Sequence, residues 1–360
     1  MDVEKQLEAL RKRIDALDDQ IQDLISQRAR CAQDVAKIKQ EAGSDSFYRP
    51  GREANVLRRI LDQNRGPLAD EEMARLFREI MSACLALESP LTVAFLGPEG
   101  TFTQEAALKH FGHSVNTLPL GAIDEVFREV ESGAVHFGVV PIENSTEGVV
   151  NHTLDSFVTS PLRICGEVEM RIHHHLLGMA SDTKEITQII SHQQSLAQCR
   201  EWLDANLPGV ERITVSSNAE AARQAAKSST LAAIASDYAA ECYNLNILAS
   251  NIEDEPDNTT RFLVIGRLDT EPSGNDKTTL LISGNNRPGL LYRLLMPLAE
   301  NKINMTRIES RPSRRGMWEY VFFIDIEGHI KEEKIRSTID ELEKEAALVK
   351  RLGSYPKAVL

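Results

Sequence analysis

No run of about 18 consecutive apolar residues occurs in the sequence, so no helix is expected to cross a membrane. Basic residues are in deficit: 41 Lys and Arg stand against 54 Asp and Glu, for a formal net charge of -13. That balance argues against the concentrated basic face that a nucleic-acid partner requires, and it disfavours docking on an anionic membrane. Cysteine is sparse. Cys31, Cys84, Cys165, Cys199 and Cys242 are odd in number, scattered, and never in a C-x-x-C arrangement. They support neither a disulfide framework nor a zinc knuckle, and read as buried reduced thiols. Met1 to Arg13 interleaves acidic and basic residues without the apolar segment of a secretory leader, so a cytoplasmic location is expected.

What is present is a 360-residue chain with 42% hydrophobic and 26% charged residues, proportions of a globular protein long enough for two or three domains. Three hydrophobic periods divide it. In residues 1–90, Val3, Leu7, Leu10, Ile14, Leu17, Ile21, Leu24, Arg28, Cys31, Val35 and Ile38 recur at alternating spacings of four and three. That is a heptad seam on one long helix ending at Gly43. Helices are also expected over 52–64 and 70–88, the latter with Asp70 as N-cap. Residues 91–270 alternate short β-branched runs with helical ones, with strands expected at 92–96, 135–141, 166–179, 186–191, 231–236 and 262–266. This predicts an α/β domain with a mostly parallel sheet and a ligand cleft at the strand ends. After a polar linker at 271–276, residues 277–357 read as βαββαβ, with Pro288 at a first helical position and Pro297 marking a kink or early end.

Polar residues inside these patterns carry the chemistry. Arg28 sits on the seam, where a charge is costly unless paired. It reads either as a register-fixing polar residue or as an anion ligand lining a bundle cavity. Arg11 and Lys39 flank the seam 28 residues apart. One straight helix separates them by about 42 Å, so both can hold one small anion only across two subunits. Residues 7–39, with Leu7-x-Ala9-Leu10-Arg11, Ile14-x-Ala16-Leu17-Asp18, Arg28 and Lys39, followed by Arg52-Glu53 and Arg75-Leu76-Phe77, resemble the all-helical chorismate mutases. The likeness is strongest to the mutase portion of bacterial P-proteins. It implies that Arg28, Lys39, Arg52 and a partner's Arg11 hold the carboxylates of chorismate, that Glu53 binds the ring hydroxyl, and that no cofactor is needed. Arg49 replaces an acidic residue common in that family, and Glu88 stands where many members carry glutamine. A glutamate donates to the ether oxygen only while protonated, so mutase activity is expected to fall as pH rises.

In the central region, Gly97-Pro-Glu-Gly-Thr-Phe-Thr103 lies between a strand and a helix, and reads as a carboxylate cradle or a plain capping turn. It lacks the Gly-Lys-Ser/Thr of a nucleotide-binding loop. Val139-Val-Pro-Ile-Glu-Asn-Ser-Thr-Glu-Gly148 sends an apolar strand into four polar residues, and Asn258-Thr-Thr-Arg-Phe262 opens another. With Ser191-His-Gln-Gln194, these segments resemble the prephenate dehydratases. The resemblance implies a catalytic Thr260, with Glu143, Asn144, Ser191 and Gln198 lining the site and Thr101, Thr146 and Arg261 as further substrate contacts. His173-His174-His175 invites a metal, but successive strand residues face opposite ways and no supporting ligand spacing exists, so no metal is expected.

Asn286-Arg-Pro-Gly-Leu-Leu-Tyr292 and Ile308-Glu-Ser-Arg-Pro312 resemble the phenylalanine-binding form of the ACT domain, a ferredoxin-like α+β sensor. By that likeness Gly289, Leu290, Leu291 and Tyr292, with Glu309, Ser310, Arg311 and Pro312, enclose phenylalanine at a dimer interface. A domain that only strengthens dimerisation is the plainer reading. The three resemblances together imply an all-α mutase domain, a two-lobed α/β dehydratase domain similar to periplasmic binding proteins, and a sensor. Their substrates are chorismate and prephenate, their effector is phenylalanine, and the assembly is a homodimer or larger. Two alternatives stand beside this: a dehydratase whose helical domain mainly dimerises, and a non-catalytic amino-acid-binding regulator.

Overall fold

The alternating four–three spacing yields one helix of 39 residues, α1 (Val3–Glu41). The computed structural model describes residues 3–43, 48–284, 287–312 and 320–359. Two shorter helices follow, α2 (Pro50–Gln63) and α3 (Asp70–Glu88). Pro50 opens α2, where its fixed φ and missing N–H cost nothing. The N-cap of α3 is Ala69, not Asp70. Asp70 instead accepts a 2.7 Å hydrogen bond from the Asn64 amide, tying the end of α2 to the start of α3. The C-terminal part of α1 packs on α3, but the first six turns project. Leu7, Leu10, Ile14, Leu17, Ile21 and Leu24 are exposed, Leu24 to 63%.

The central region forms two lobes. The first comprises β1 (Thr92–Leu96), α4 (Phe102–Phe111), β2 (Asn116–Leu120), α5 (Ile123–Ser132), β3 (Phe137–Asn144), β4 (Gly148–Val149), α6 (Asn151–Thr159) and β5 (Arg163–Arg171). The chain then crosses to the second lobe: β6 (His175–Gly178), β7 (Gln188–Ser191), α7 (Gln193–Gln198), α8 (Arg200–Asn206), β8 (Glu211–Thr214), α9 (Asn218–Ala225), β9 (Leu231–Ala235), α10 (Asp237–Tyr243) and β10 (Asn246–Ala249). It returns as β11 (Thr259–Gly266), inserted between β3 and β5.

The expected strand over 166–179 is therefore two strands in two sheets. The mostly parallel sheet is corrected to two mixed ones: β1 pairs with β2 and β3 in parallel, whereas β11 is antiparallel to both β3 and β5. The reason is connectivity. β5 leaves the first lobe at the cleft and β11 re-enters there, so β11 must run away from the cleft while β3 and β5 run toward it. The second sheet, in order β10-β6-β9-β7-β8, is mixed as well. The cysteine expectation holds in part: Cys84, Cys165 and Cys199 are buried, but Cys31 and Cys242 are exposed.

The C-terminal unit has the expected order: β12 (Asp276–Ser283), α11 (Leu290–Glu300), β13 (Met305–Pro312), β14 (Tyr320–Glu327), α12 (Glu333–Glu345) and β15 (Leu348–Pro356). Its sheet, β13-β14-β12-β15, is antiparallel throughout. Pro288 lies outside α11, because Gly289 at φ 75° turns the chain just before the helix. Pro297 is carried in the last turns, and α11 stops three residues later. One sheet face buries Leu280, Ile282, Ile324 and Ile326 under the two helices. The other face sends Leu281, Phe323, Leu352 and Tyr355 into the same core as Ile142, Leu154, Ile164 and Leu263 of the first lobe. There is no room between them: a Cβ on Gly353 would collide with the Ile164 backbone. The linker is fastened too, since Arg58 of α2 donates to Ser273 Oγ at 3.0 Å and to the Asn275 carbonyl at 2.9 Å.

Candidate functional sites

Between α1, α2 and α3 lies a cavity of about 540 Å³ lined by Arg28, Lys39, Arg49, Arg52, Glu53 and Glu88. Four cations and two carboxylates in one hollow make a receptor for a small polyanion that also carries hydroxyl groups. Lys39 Nζ stands 3.6 Å from Glu88, so Glu88 faces the cavity from the end of α3 and is not a frayed terminal residue. Glu53 is pushed up to about 7, chiefly by burial, against the pull of Arg78 and Arg28. Arg11 is not part of this cavity; it sits on the projecting half of α1.

Sequence reasoning missed what stands behind Glu53. A second hollow of about 50 Å³ joins Glu53 to Arg78, Tyr48 and His110. Tyr48 packs on Phe111 and Phe137, at ring distances of 5.2 and 5.1 Å, and its hydroxyl meets His110 Nε2 at 2.8 Å. Burial, with Arg78 close by, lowers His110 to about 3, so its imidazole is neutral. The helical region and the first lobe thus share a wall. Tyr48, an aromatic residue two positions before Pro50, was its only sequence signal.

The second candidate site is the cleft where the two crossings between lobes meet. The register places Thr260 opposite Asn144 and Arg261 opposite Glu143. Asn144 Nδ2 donates to Thr260 Oγ1 and to Asn258 Oδ1, each at 2.8 Å. Its carbonyl accepts from the Thr146 hydroxyl at 2.6 Å and from the backbone N–H groups of Thr146 and Glu147 at 3.0 Å. Because Thr260 Oγ1 accepts from Asn144, its own hydrogen remains to donate into the cleft. Gln198 comes from the other lobe. Its amide donates to Thr146 Oγ1 at 3.2 Å, and its carbonyl lies 2.9 Å from His174 Nε2, which identifies that nitrogen as the protonated one. Burial lowers the His174 pKa, keeping it neutral.

The Gly97–Thr101 turn closes one side of the cleft. Thr101 donates to the Leu96 carbonyl at 3.0 Å, and Tyr243 of α10 donates to the Glu99 carbonyl at 2.8 Å. Ser191 is fully buried, with its hydroxyl 2.9 Å from Asn218 Oδ1 and 2.7 Å from the Ile234 carbonyl. It shapes the turn into α7 and does not line the cleft.

Two residues expected beside Thr260 are elsewhere. Adjacent strand residues face opposite ways, so if Asn144 and Thr260 face the cleft, Glu143 and Arg261 cannot. Arg261 is 8% exposed and lies 2.8 Å from Glu167, 2.7 Å from Asp325 and 3.0 Å from the Tyr355 hydroxyl. Glu143 accepts from Arg261 at 3.3 Å and from Arg307 at 2.6 Å. Both belong to the interface with the C-terminal sheet. The three histidines also separate: His173 pairs with Glu253 at 2.7 Å, His174 with Gln198, and His175 Nδ1 accepts from the Asn251 N–H at 3.2 Å.

Comparison with known proteins fits this three-part plan. Residues 10–89 match the chorismate mutase type II model, residues 93–270 the prephenate dehydratase model, and residues 278–344 the ACT domain model. Bifunctional chorismate mutase/prephenate dehydratases of Stutzerimonas stutzeri and Pseudomonas aeruginosa are each 61% identical over 360 residues, covering 99% of this chain and 99% of theirs. The chain belongs to the bifunctional chorismate mutase/prephenate dehydratases. Among solved structures, a prephenate dehydratase from Arthrobacter aurescens in complex with L-Phe is 34% identical with a TM-score of 0.69, covering 74% of this chain and 90% of that one.

In this bifunctional family member the two ACT-domain segments lie on different elements. Leu290, Leu291 and Tyr292 open α11, with Tyr292 72% exposed. Glu309, Ser310, Arg311 and Pro312 end β13, the edge strand, on which Ile308 and Ser310 are exposed. Among the described residues no hydrogen bond joins the two segments; Asn286 lies outside them.

Proposed function

We infer that each cavity carries one of the two activities in the family name, and that the C-terminal unit reports phenylalanine to them. In the helical cavity, Arg28, Lys39 and Arg52, with Arg11 of the partner subunit, hold the two carboxylates of chorismate. Glu53 accepts from the ring hydroxyl, and Glu88 donates to the ether oxygen. The rearrangement to prephenate needs no nucleophile; holding the ends of the ether bridge together and stabilising charge on the oxygen supply the rate. The exposed seam of α1 supports a homodimer, because six apolar turns in water gain by packing on a second copy.

In the cleft, prephenate loses carbon dioxide and water. The bond to the ring carboxylate breaks, its electron pair completes the aromatic ring, and the ring hydroxyl leaves with a proton. Thr260 is the donor to that leaving oxygen, with Asn144 fixing its rotamer and Gln198 and Thr146 closing the cleft. The observation that carries this reading is the hydrogen bond between Asn144 and Thr260 across two neighbouring strands, which aims one hydroxyl hydrogen at the cleft. Phenylalanine sits between residues 289–292 of one subunit and 309–312 of its partner. The enzyme works in the cytoplasm. The test is to supply chorismate and prephenate separately, with and without phenylalanine. Phenylpyruvate from prephenate, prephenate from chorismate and less phenylpyruvate with phenylalanine are the expected results. Absence of phenylpyruvate removes the cleft assignment; intact chorismate leaves a dehydratase with a dimerising helical domain.

A further inference from the structure

The strand that ends in the sensor segment reaches the dehydratase cleft through charged side chains. Along β13, Arg307, Glu309 and Arg311 alternate with exposed Thr306, Ile308 and Ser310. Arg307 is 11% exposed and donates from Nε to Glu143 at 2.6 Å. Arg311 donates to Asp155 at 2.8 Å and also binds Asn151, both in α6. The second oxygen of Glu143 takes Arg261, which Asp325 of β14 holds from the sensor side. Glu143 directly precedes Asn144, and Arg261 directly follows Thr260. One chain of ion pairs therefore ends a single peptide away from each member of the hydrogen-bonded pair in the cleft. Partly buried ion pairs such as these tolerate little displacement before a charge is left unpaired, so a shift of β13 must be followed by β3 or break the contact.

We propose that Arg307 is a positioning residue through which strand β13 sets the placement of Asn144 and Thr260. An amino acid seated against residues 309–312 then alters dehydration by moving β13 and with it Glu143, without entering the cleft. This rests on the cleft being the dehydratase site and the C-terminal unit the phenylalanine sensor. Glu143 acts on the reaction from behind the strand, through its neighbour, and not on prephenate.

The test uses the full chain with Arg307→Met, which keeps the aliphatic stem and removes the charge, and Arg307→Lys, which keeps a cation for Glu143. Prephenate turnover is followed against phenylalanine, and phenylalanine binding is measured by calorimetry. In the methionine variant, the fraction of prephenate turnover that survives saturating phenylalanine should be at least about tenfold larger than in the parent, within the range of ordinary coupling energies, while the Kd for phenylalanine moves less than about threefold. The lysine variant should recover most of the inhibition, which a loss of general packing would not allow. Arg307→Gln carries the same expectation as methionine if that chain does not fold. Unchanged inhibition in the methionine or glutamine variant overturns the proposal while leaving the functional reading intact. Parent enzyme that neither turns over prephenate nor binds phenylalanine overturns both.

Discussion

The two cavities are built on opposite terms. The cleft proposed for dehydration is assembled inside one chain: two strands in register bring Asn144 to Thr260, and Gln198 crosses from the other lobe to Thr146. The cavity proposed for the mutase draws Arg28, Lys39, Arg52, Glu53 and Glu88 from one chain but leaves Arg11 far along a projecting helix. A sheet fixes neighbours through backbone pairing, so its site needs no second copy. A long helix spreads its residues over tens of ångströms, so a site using both ends must be shared. The two activities should therefore respond to different injuries.

The largest separation is expected from Thr260→Val, which keeps the shape and removes the donor. Prephenate turnover should fall about 1,000-fold, as for loss of a positioned acid, with chorismate turnover within about twofold. A dehydratase rate reduced less than tenfold would mean that Thr260 is not the donor. Placing a charge on the seam, as in Leu17→Glu, should do the converse: sedimentation should show weakened association. Mutase activity should fall about 100-fold through loss of orientation, while prephenate turnover is largely kept. Removing the bridge between lobes with Gln198→Ala should cost about tenfold in dehydratase kcat, the value of one or two hydrogen bonds.

The smallest effects concern pH, and they sharpen the mutase half. Glu53 accepts from a hydroxyl most strongly when ionised, and burial pushes it up to about 7. Mutase kcat/KM should thus rise with pH through about 7, and Glu53→Gln should remove that acid limb at some cost in rate. Glu88→Gln keeps a donor for the ether oxygen and should hold mutase turnover within about tenfold of the parent. An acid limb that survives Glu53→Gln, or a loss of more than about 100-fold in Glu88→Gln, would mean that the role given to that carboxyl is wrong.

What was legible beforehand follows the same division. The heptad spacing announced α1 in full, and the seam arginine announced its cavity, because helical period and side-chain direction are local properties. The cleft was legible only as a neighbourhood. Glu143-Asn144 and Thr260-Arg261 are adjacent pairs, and the period of two requires that one member of each face away. Which one depends on the return strand β11, a long-range pairing with no local signal. The same return explains the mixed sheet and the break at His173–His175. The partnership of Glu53 with Tyr48 and His110 was hidden for a like reason, since it joins residues from separate folding units.

Mixing two crippled chains tests the shared cavity most directly. Arg11→Ala and Lys39→Ala chains are each purified, shown to lack mutase activity, then unfolded together, refolded and assayed with chorismate. In a mixed dimer one cavity collects both defects and the other receives an intact Arg11 and an intact Lys39. Random pairing makes about half the dimers mixed, so about a quarter of the parent's mutase activity should return. Activity no higher than that of the separate chains, with dimers present, would contradict a cavity completed by the partner subunit.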